Sequence, residues 1–305
     1  MQYIKKILRG LGIFIYKIFA LLRLVRSTVI VLVDGGICSQ MYQYLIGYYL
    51  KMKNNYPIEY NIVWYDVDGH DANGNSVRNF DLLKAFPDLD FPVASARKCR
   101  WYNRLFPYYA YSSTEWDKPW YDCRPPVTLL GYFKSPSEMW KPFHDLFKID
   151  AHRVLDTENL AIYENIPHDS SVAVHVRRGD LSTYRTGYGS PVTEDYFSQA
   201  IKYFYDINPQ MTFYFFSDDK DYVQQVLIPS LPFEIKSVIS NNGDENGYMD
   251  LFLISRCRYQ ITSKGSLGKY GALLSDNNNK LVIVSKDDTG IDMLKCVDNI
   301  NIMRI

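Results

Sequence analysis

The chain has 305 residues, 47% of them hydrophobic, enough for a substantial core and, by size, about two domains. Lysine plus arginine equals aspartate plus glutamate at 34 each, so the net charge is zero and blanket nucleic-acid binding is excluded. Five cysteines at 38, 99, 123, 257 and 296 form neither an even set nor a C-x-x-C pair, which excludes a disulfide framework or zinc knuckle and fits a reducing cytosol.

The charge is unevenly placed. Residues 1–33 hold Lys5, Lys6, Arg9, Lys17, Arg23 and Arg26 and no acid, so the remainder carries −6. The same segment is apolar, with Leu11, Ile13, Phe14, Ile15, Ile18, Phe19, Leu21 and Leu22. A spanning helix needs roughly 20 mostly apolar residues, and Lys17 and Arg23 interrupt this run too soon. Residues 1–28 therefore read as a basic amphipathic extension. It either lies in the interface of an anionic membrane or packs on the body with its lysines snorkelling.

An apolar run over 29–33 leads into Asp34-Gly35-Gly36, and Met41, Tyr44, Leu45 and Tyr48 then recur at helical spacing, giving strand, glycine turn, helix. A second strand is predicted over 62–65. Residues 66–121 read as irregular, and a strand over 127–130 leads into Gly131-Tyr132-Phe133. The second half is more regular, with strands over 171–176, 212–216, 234–239, 259–262 and 281–284. Helices are predicted over 195–205, 222–227, 248–257 and 269–274. Strands alternating with helices mean an α/β fold with a parallel sheet covered on both faces. Residues 29–165 and 166–305 form the two domains, joined at Asn165-Ile166-Pro167. The 26 tyrosines serve either a core or sugar stacking.

Four segments carry chemistry. His175-Val176-Arg177-Arg178-Gly179-Asp180 ends a buried strand, where ligands sit in open α/β sheets. A guanidinium matches phosphate oxygens with paired donors and stays charged. Strand alternation puts His175 and Arg177 on one face and Arg178 on the other, so Arg177 is the first choice for a pyrophosphate. Arg178 is either a second ligand or the ion partner of Asp180. Phe216-Ser217-Asp218-Asp219 also ends an apolar strand, and its polar groups either cap the next helix or reach a purine or ribose. Ser263-Lys264-Gly265-Ser266-Leu267-Gly268-Lys269-Tyr270 lies between strand and helix. It lets the backbone approach an anion but breaks the Walker pattern, with Tyr270 after the lysine. Gly35-Gly36-Ile37-Cys38-Ser39-Gln40 reads as a ligand-approach loop. Asp66-Val67-Asp68 imitates the D-x-D of metal-dependent sugar transferases in an acidic loop where such triplets arise by chance. Asp287-Asp288 reads as a solvated turn. The five histidines have no ligand spacing, and no metal is expected.

Together these segments resemble glycosyltransferase family 11, the bacterial α-1,2-fucosyltransferases. GGICSQMYQY from Gly35 to Tyr44 is similar to the family's GGLGNQMFQYA, HVRRGD stands intact at His175 to Asp180, and FSDD at Phe216 to Asp219. Asp250-Leu251-Phe252-Leu253-Ile254-Ser255-Arg256-Cys257 is similar to its DLxLMSxC, and Gly131-Tyr132-Phe133-Lys134-Ser135 to its GYFQS. The chain departs from the family at Ser39, where an asparagine is usual. It departs again at Lys264 to Ala272, where KGSLGKYGA replaces NSTFSWWGA and only Ser266 of the early polar residues survives.

The resemblance implies a GT-B-like fold, two Rossmann-like domains facing each other across a cleft. The N-terminal domain takes the acceptor, the C-terminal one takes GDP-fucose, and no metal or other cofactor is needed. It implies inverting transfer of L-fucose to the 2-hydroxyl of a galactoside in an oligosaccharide or glycolipid of a surface polysaccharide, at the inner face of the plasma membrane. Arg177, His175 and Asp180 become the catalytic candidates, with either of the last two as base. Gly35, Gly36, Ser39, Gln40, Arg178, Ser217, Asp218, Asp219, Asp250 and Ser266 become the substrate-binding candidates. The altered late loop leaves open another GDP-sugar as donor, or a nucleotide-sugar-binding protein without turnover.

Overall fold

A computed structural model describes residues 2–22, 26–67, 69–70, 77–106, 108–110, 120–179, 181, 190–288, 290–297 and 299–305. The chain forms two compact units, residues 1–83 with 88–139, and residues 84–87 with 140–305.

The first unit contains α1 (Gln2–Leu21), β1 (Val29–Leu32), α2 (Ile37–Asn54), β2 (Ile58–Asn61), α3 (Val63–Val67), the start of α4 (Leu82–Ala85), α5 (Ala96–Leu105), β3 (Tyr108–Ala110) and β4 (Val127–Leu130). Its sheet runs β2-β1-β4-β3 with every pair parallel. The predicted strand over 62–65 stands four residues early, at β2. Its apolar run instead opens a helix, because the Asn61 side chain accepts the Val63 N–H at 3.0 Å and turns the chain. The segment expected to be irregular holds α3, α4, α5 and β3. Residues 1–28 are no separate domain, since Ile13 and Tyr16 of α1 pack on the cluster of Ile30, Cys99, Tyr102 and Phe106.

The second unit contains α6 (Phe143–Leu146), α7 (Ala151–Val154), α8 (Thr157–Asn165), β5 (Ser171–Val176), α9 (Glu194–Ile207), β6 (Thr212–Ser217), α10 (Lys220–Tyr222), β7 (Lys236–Ile239), α11 (Gly247–Arg256), β8 (Tyr259–Thr262), α12 (Leu267–Leu273), β9 (Lys280–Val284) and β10 (Ile300–Arg304). Its six parallel strands run β10-β9-β8-β5-β6-β7. This is the doubly wound order, with β5 first and the reversal between β5 and β8. The central runs of β5 and β6, Val172 to Val174 and Phe213 to Phe216, are buried hydrophobics, as strands covered on two faces must be. The boundary expected at residue 165 falls instead at 140. Trp140 and Phe143 set their rings edge-on against Tyr270 at 5.9 and 5.6 Å, and Asn159 of α8 exchanges amide hydrogen bonds with Asn242. The helices before β5 thus belong to the core they cover.

Buried Lys280 opens β9 and donates to the Ile254 and Cys257 carbonyls at 3.1 and 3.0 Å, closing the C-terminus of α11. Burial pulls its ammonium down to about 8. All five cysteines are free.

Candidate functional site

In a doubly wound sheet the strand order reverses where two crossovers leave in opposite directions, opening a crevice at the carboxyl ends of the strands. In the second unit that point lies between β5 and β8, and Arg177 follows β5 directly. Its backbone N–H donates to Ser263 Oγ at 2.8 Å, and the Ser263 N–H donates to the His175 carbonyl at 3.0 Å, so the two strand tips are laced together. The Arg177 side chain lies over the backbone of Gly265. A Cβ at Gly265 would stand 2.7 Å from Arg177 Nη1 and 2.9 Å from Cδ, and φ is +108° there. Only glycine meets both conditions. The Gly265 departure is therefore what seats this guanidinium.

His175 is buried, its Nδ1 3.4 Å from Ser263 Oγ. Burial, then the Arg177 and Lys269 charges, push its pKa down to about 3, so the ring is neutral at physiological pH. A buried imidazole this weakly basic props the strand tip; it is unsuited to proton transfer. Its expected signature is in stability. The folded pKa lies below the unfolded 6.5, so the contribution is complete above pH 6.5 and is lost as pH falls toward 3, on the order of 5 kcal/mol in all. Asp250 acts oppositely over a narrower window, its carboxyl raised from 3.8 to about 6 chiefly by burial. In urea titrations at stepped pH, the wild type should lose stability between pH 6.5 and 4 more steeply than His175→Gln. Parallel curves would reject a buried neutral imidazole.

Arg178 faces the other way, as alternation predicts, but its partner is protein. Its guanidinium sits 4.0 Å over the Tyr222 ring with Nε 3.6 Å from Asp219 Oδ2. Asp180 lies outside the described residues, as does Asp68 of the D-x-D triplet. Asp66 is in helix α3 rather than at a strand end.

The Ser217-Asp218-Asp219 group is tied into the protein. Ser217 Oγ donates to the Val176 carbonyl at 2.8 Å and accepts the Asp219 N–H at 3.0 Å. Asp218 Oδ1 accepts the Arg178 N–H at 2.8 Å, and Asp219 Oδ1 caps α10 through the Tyr222 N–H at 3.1 Å. These bonds fix the loop that carries Arg177 and Arg178, and the Asp219 bond is the helix cap the sequence offered. Asp250 likewise is buried, its Oδ1 accepting from Ser240 Oγ at 2.6 Å and Asn242 Nδ2 at 2.8 Å. It holds the loop after β7. Ser266 opens α12 without capping it through its side chain.

Where the family has a tryptophan pair, Tyr270 keeps an aromatic ring in the core and Lys269 is buried against Asp288 at 2.6 Å. The Asp287-Asp288 turn is thus solvated only at Asp287. Asp288 also caps the Gly290 N–H at 2.9 Å, and Arg304 donates to its carbonyl at 3.0 Å.

In the first unit the reversal lies between β1 and β4, whose tips are Asp34-Gly35 and Gly131-Tyr132. Gly35 has φ +70°, and its carbonyl accepts from Tyr65 at 2.9 Å and Gln40 at 3.0 Å. Gly36 opens α2. Ser39 hydrogen-bonds the Tyr132 hydroxyl, and half-exposed Tyr132 stacks on Tyr42 at 5.7 Å. Tyr44, Tyr60, Tyr102, Tyr196, Tyr214 and Tyr270 are among the tyrosines buried in the core. Gln40 is fully buried, and its amide donates to Gly35 and Asn79 and accepts from Asp81 and Leu82.

Sequence reasoning passed over Asp34, which it treated as the start of a turn. Its Oδ1 accepts from Gln43 Nε2 at 2.6 Å while its N–H donates to Gln43 Oε1 at 3.0 Å, fixing the carboxylate at the sheet's switch point. Burial raises its pKa against the lowering pull of Gln43. An Asp beside a predicted strand end was the available signal.

Residues 103–293 match the sequence model of "Glycosyl transferase family 11". The chain is 26% identical over 165 residues to the O-antigen biosynthesis glycosyltransferase WbnK of Escherichia coli, covering 51% of this chain and only about half, 53%, of that relative's length. It is 23% identical over 268 residues to an alpha-1,2-colitosyltransferase of Escherichia coli, covering 82% of this chain and 88% of that one. Among solved structures, fucosyltransferase NodZ from Bradyrhizobium is similar at 13% identity and TM-score 0.48, over 82% of this chain and 93% of that one. The Escherichia coli ADP-heptose heptosyltransferase II is similar at 11% identity and TM-score 0.46, over 91% and 90%. The profile match spans well over half of the sequence, with the β5 motif, the β6 motif and the glycine loop inside it, and the chain belongs to glycosyl transferase family 11.

Proposed function

We propose that the protein transfers L-fucose from GDP-fucose to the 2-hydroxyl of a galactoside with inversion, building a surface polysaccharide. The observation that carries this reading is the seat of Arg177, at the β5/β8 switch point on the backbone of Gly265. An anion of a nucleotide sugar is the ligand such a seat suits. The family membership and the O-antigen and colitose transferases among the relatives support a deoxyhexose and a polysaccharide acceptor.

In the reaction the acceptor oxygen attacks the anomeric carbon from the face opposite GDP. The new C–O bond forms as the bond to phosphate breaks, and charge builds on the departing diphosphate. Arg177 stabilises that charge more than it stabilises the intact donor, so no metal is called for. The acceptor proton passes to a carboxylate, and Asp34 fits that role better than buried His175. Tyr132, half-exposed and hydrogen-bonded to Ser39 in the same unit, offers a ring face to the acceptor sugar. The acceptor is an oligosaccharide or glycolipid met at the inner face of a membrane, to which the basic N-terminal helix brings the enzyme.

The test supplies purified protein with a galactoside and, in turn, GDP-fucose, GDP-mannose and GDP-colitose. GDP release and product linkage are followed. GDP-fucose should be turned over to a 2-linked product. Turnover of GDP-colitose or GDP-mannose alone would move the donor assignment to another GDP-sugar, a reading favoured by the relative named for colitose. GDP binding with no product on any acceptor would leave a binding protein.

A further inference from the structure

Helix α1 touches its unit along one narrow side. Gly12 lies against Leu105, and the Tyr16 ring packs 4.4 Å from Phe106. The Tyr16 hydroxyl shares a 3.0 Å hydrogen bond with Tyr102 and donates to the Arg26 carbonyl at 2.9 Å. The opposite side carries Ile4, Ile7, Leu11, Phe14, Ile18 and Leu22 at three- and four-residue steps, each between 42% and 62% exposed. Lys5, Lys6 and Lys17 flank this stripe and are exposed, with no acid among the first 33 residues. At 1.5 Å per residue the stripe is about 27 Å long, far more apolar surface than a soluble monomer leaves to water without use.

The neighbouring helix repeats the chemistry. Helix α5 packs on α1 and has no acid of its own. It leaves Trp101 57% exposed, with Arg97, Arg100 and Arg104 also at the surface. Lys98 turns inward to Glu59 at 2.6 Å. No helix among the described residues is long and apolar enough to cross a membrane. A second copy of the chain is the poorer occupant, because pairing two stripes brings Lys5, Lys6 and Lys17 of one against those of the other. An apolar face with a lysine border and an adjacent tryptophan suits the level of lipid headgroups, where acyl chains take the stripe and anionic phosphates take the lysines.

We infer that α1 and α5 form a single docking face that lays the first unit on an anionic lipid monolayer, with α1 in the plane of the interface. The inference deepens the membrane part of the proposed function and is independent of the sugar chemistry. The test is co-sedimentation of the full chain with vesicles of phosphatidylcholine alone or of phosphatidylcholine with phosphatidylglycerol, with transfer to a soluble acceptor assayed in parallel. Binding should be confined largely to the anionic vesicles and weaken as salt rises. Lys5→Ala with Lys6→Ala should weaken it roughly tenfold. Leu11→Glu with Phe14→Glu should abolish it while GDP binding and helical content stay unchanged, since both side chains are exposed. Emission from Trp101 should shift to the blue on anionic vesicles, a change absent in Trp101→Phe. Failure of the wild type to sediment with anionic vesicles would overturn the inference. So would a lipid-free dimer that Leu11→Glu with Phe14→Glu dissolves, which would make the face a self-association surface. Vesicle binding without transfer would sink the transferase reading alone, and transfer without vesicle binding would sink the docking face alone.

Discussion

Replacing Arg177 with alanine should cut the rate of transfer roughly a hundredfold or more, the usual cost of losing one preorganised donor aimed at developing charge. The argument is geometric before it is electrostatic. The guanidinium starts from the tip of β5, its backbone is tied to Ser263 across the sheet's switch point, and it rests on Gly265. A group so placed stands at the carboxyl end of the strand, where an open α/β sheet takes its ligand. Arg177→Lys should fail nearly as badly, because a point charge does not reproduce a paired fork. Gly265→Ala supplies the control through the backbone. The new methyl would occupy the space of Nη1 and Cδ, and positive φ adds strain, so the guanidinium must leave its seat. That variant should lose donor affinity and rate while keeping every charge. Both are read by steady-state kinetics and by calorimetric titration with GDP. Near-normal turnover of Arg177→Ala would end the assignment of this residue to the leaving group.

Much of the second unit was legible because its strands are continuous apolar runs bounded by polar tips. The strands at Ser171–Val176 and Tyr259–Thr262 match their predictions, and that at Thr212–Ser217 runs one residue past its own. The HVRRGD motif was legible for the same reason, as polar residues after a buried strand have one place to go. What periodicity could not show was who binds whom. Arg178 and Asp219 are far apart in sequence and meet only because β5 and β6 are neighbours. Lys269 and Asp288 look like surface charges in a linear reading, and only the fold reveals that each buries the other. Early strand β2 was misplaced because β-branched and aromatic residues at 62–65 carry a strand signal stronger than Ile58–Asn61, and a single side-chain cap from Asn61 decides the matter.

Asp34→Asn should reduce turnover by roughly two to four orders of magnitude, the range over which a positioned base acts, with little change in GDP affinity. The substitution is isosteric, and the retained carbonyl can still accept from Gln43 Nε2, so the loop should hold its shape and only basicity is lost. The pH dependence separates this from a structural effect. A base works in its ionised form, and burial raises the Asp34 pKa above the ordinary carboxylate value. The wild-type rate should therefore rise with pH on the acid side, with its midpoint above that of a free aspartate. In Asp34→Asn that limb should vanish, leaving a low rate that does not vary there. His175→Gln gives the contrast: with a pKa of about 3 the imidazole is neutral throughout the working range, so its loss should leave the acid limb in place and act through the seating of Arg177. An unchanged acid limb in Asp34→Asn would take the base role away from the first unit's strand tip. The pair of variants thus tells a lost carboxylate base from a displaced imidazole, since only the first should remove the acid limb. Each residue stands where its own sheet reverses direction.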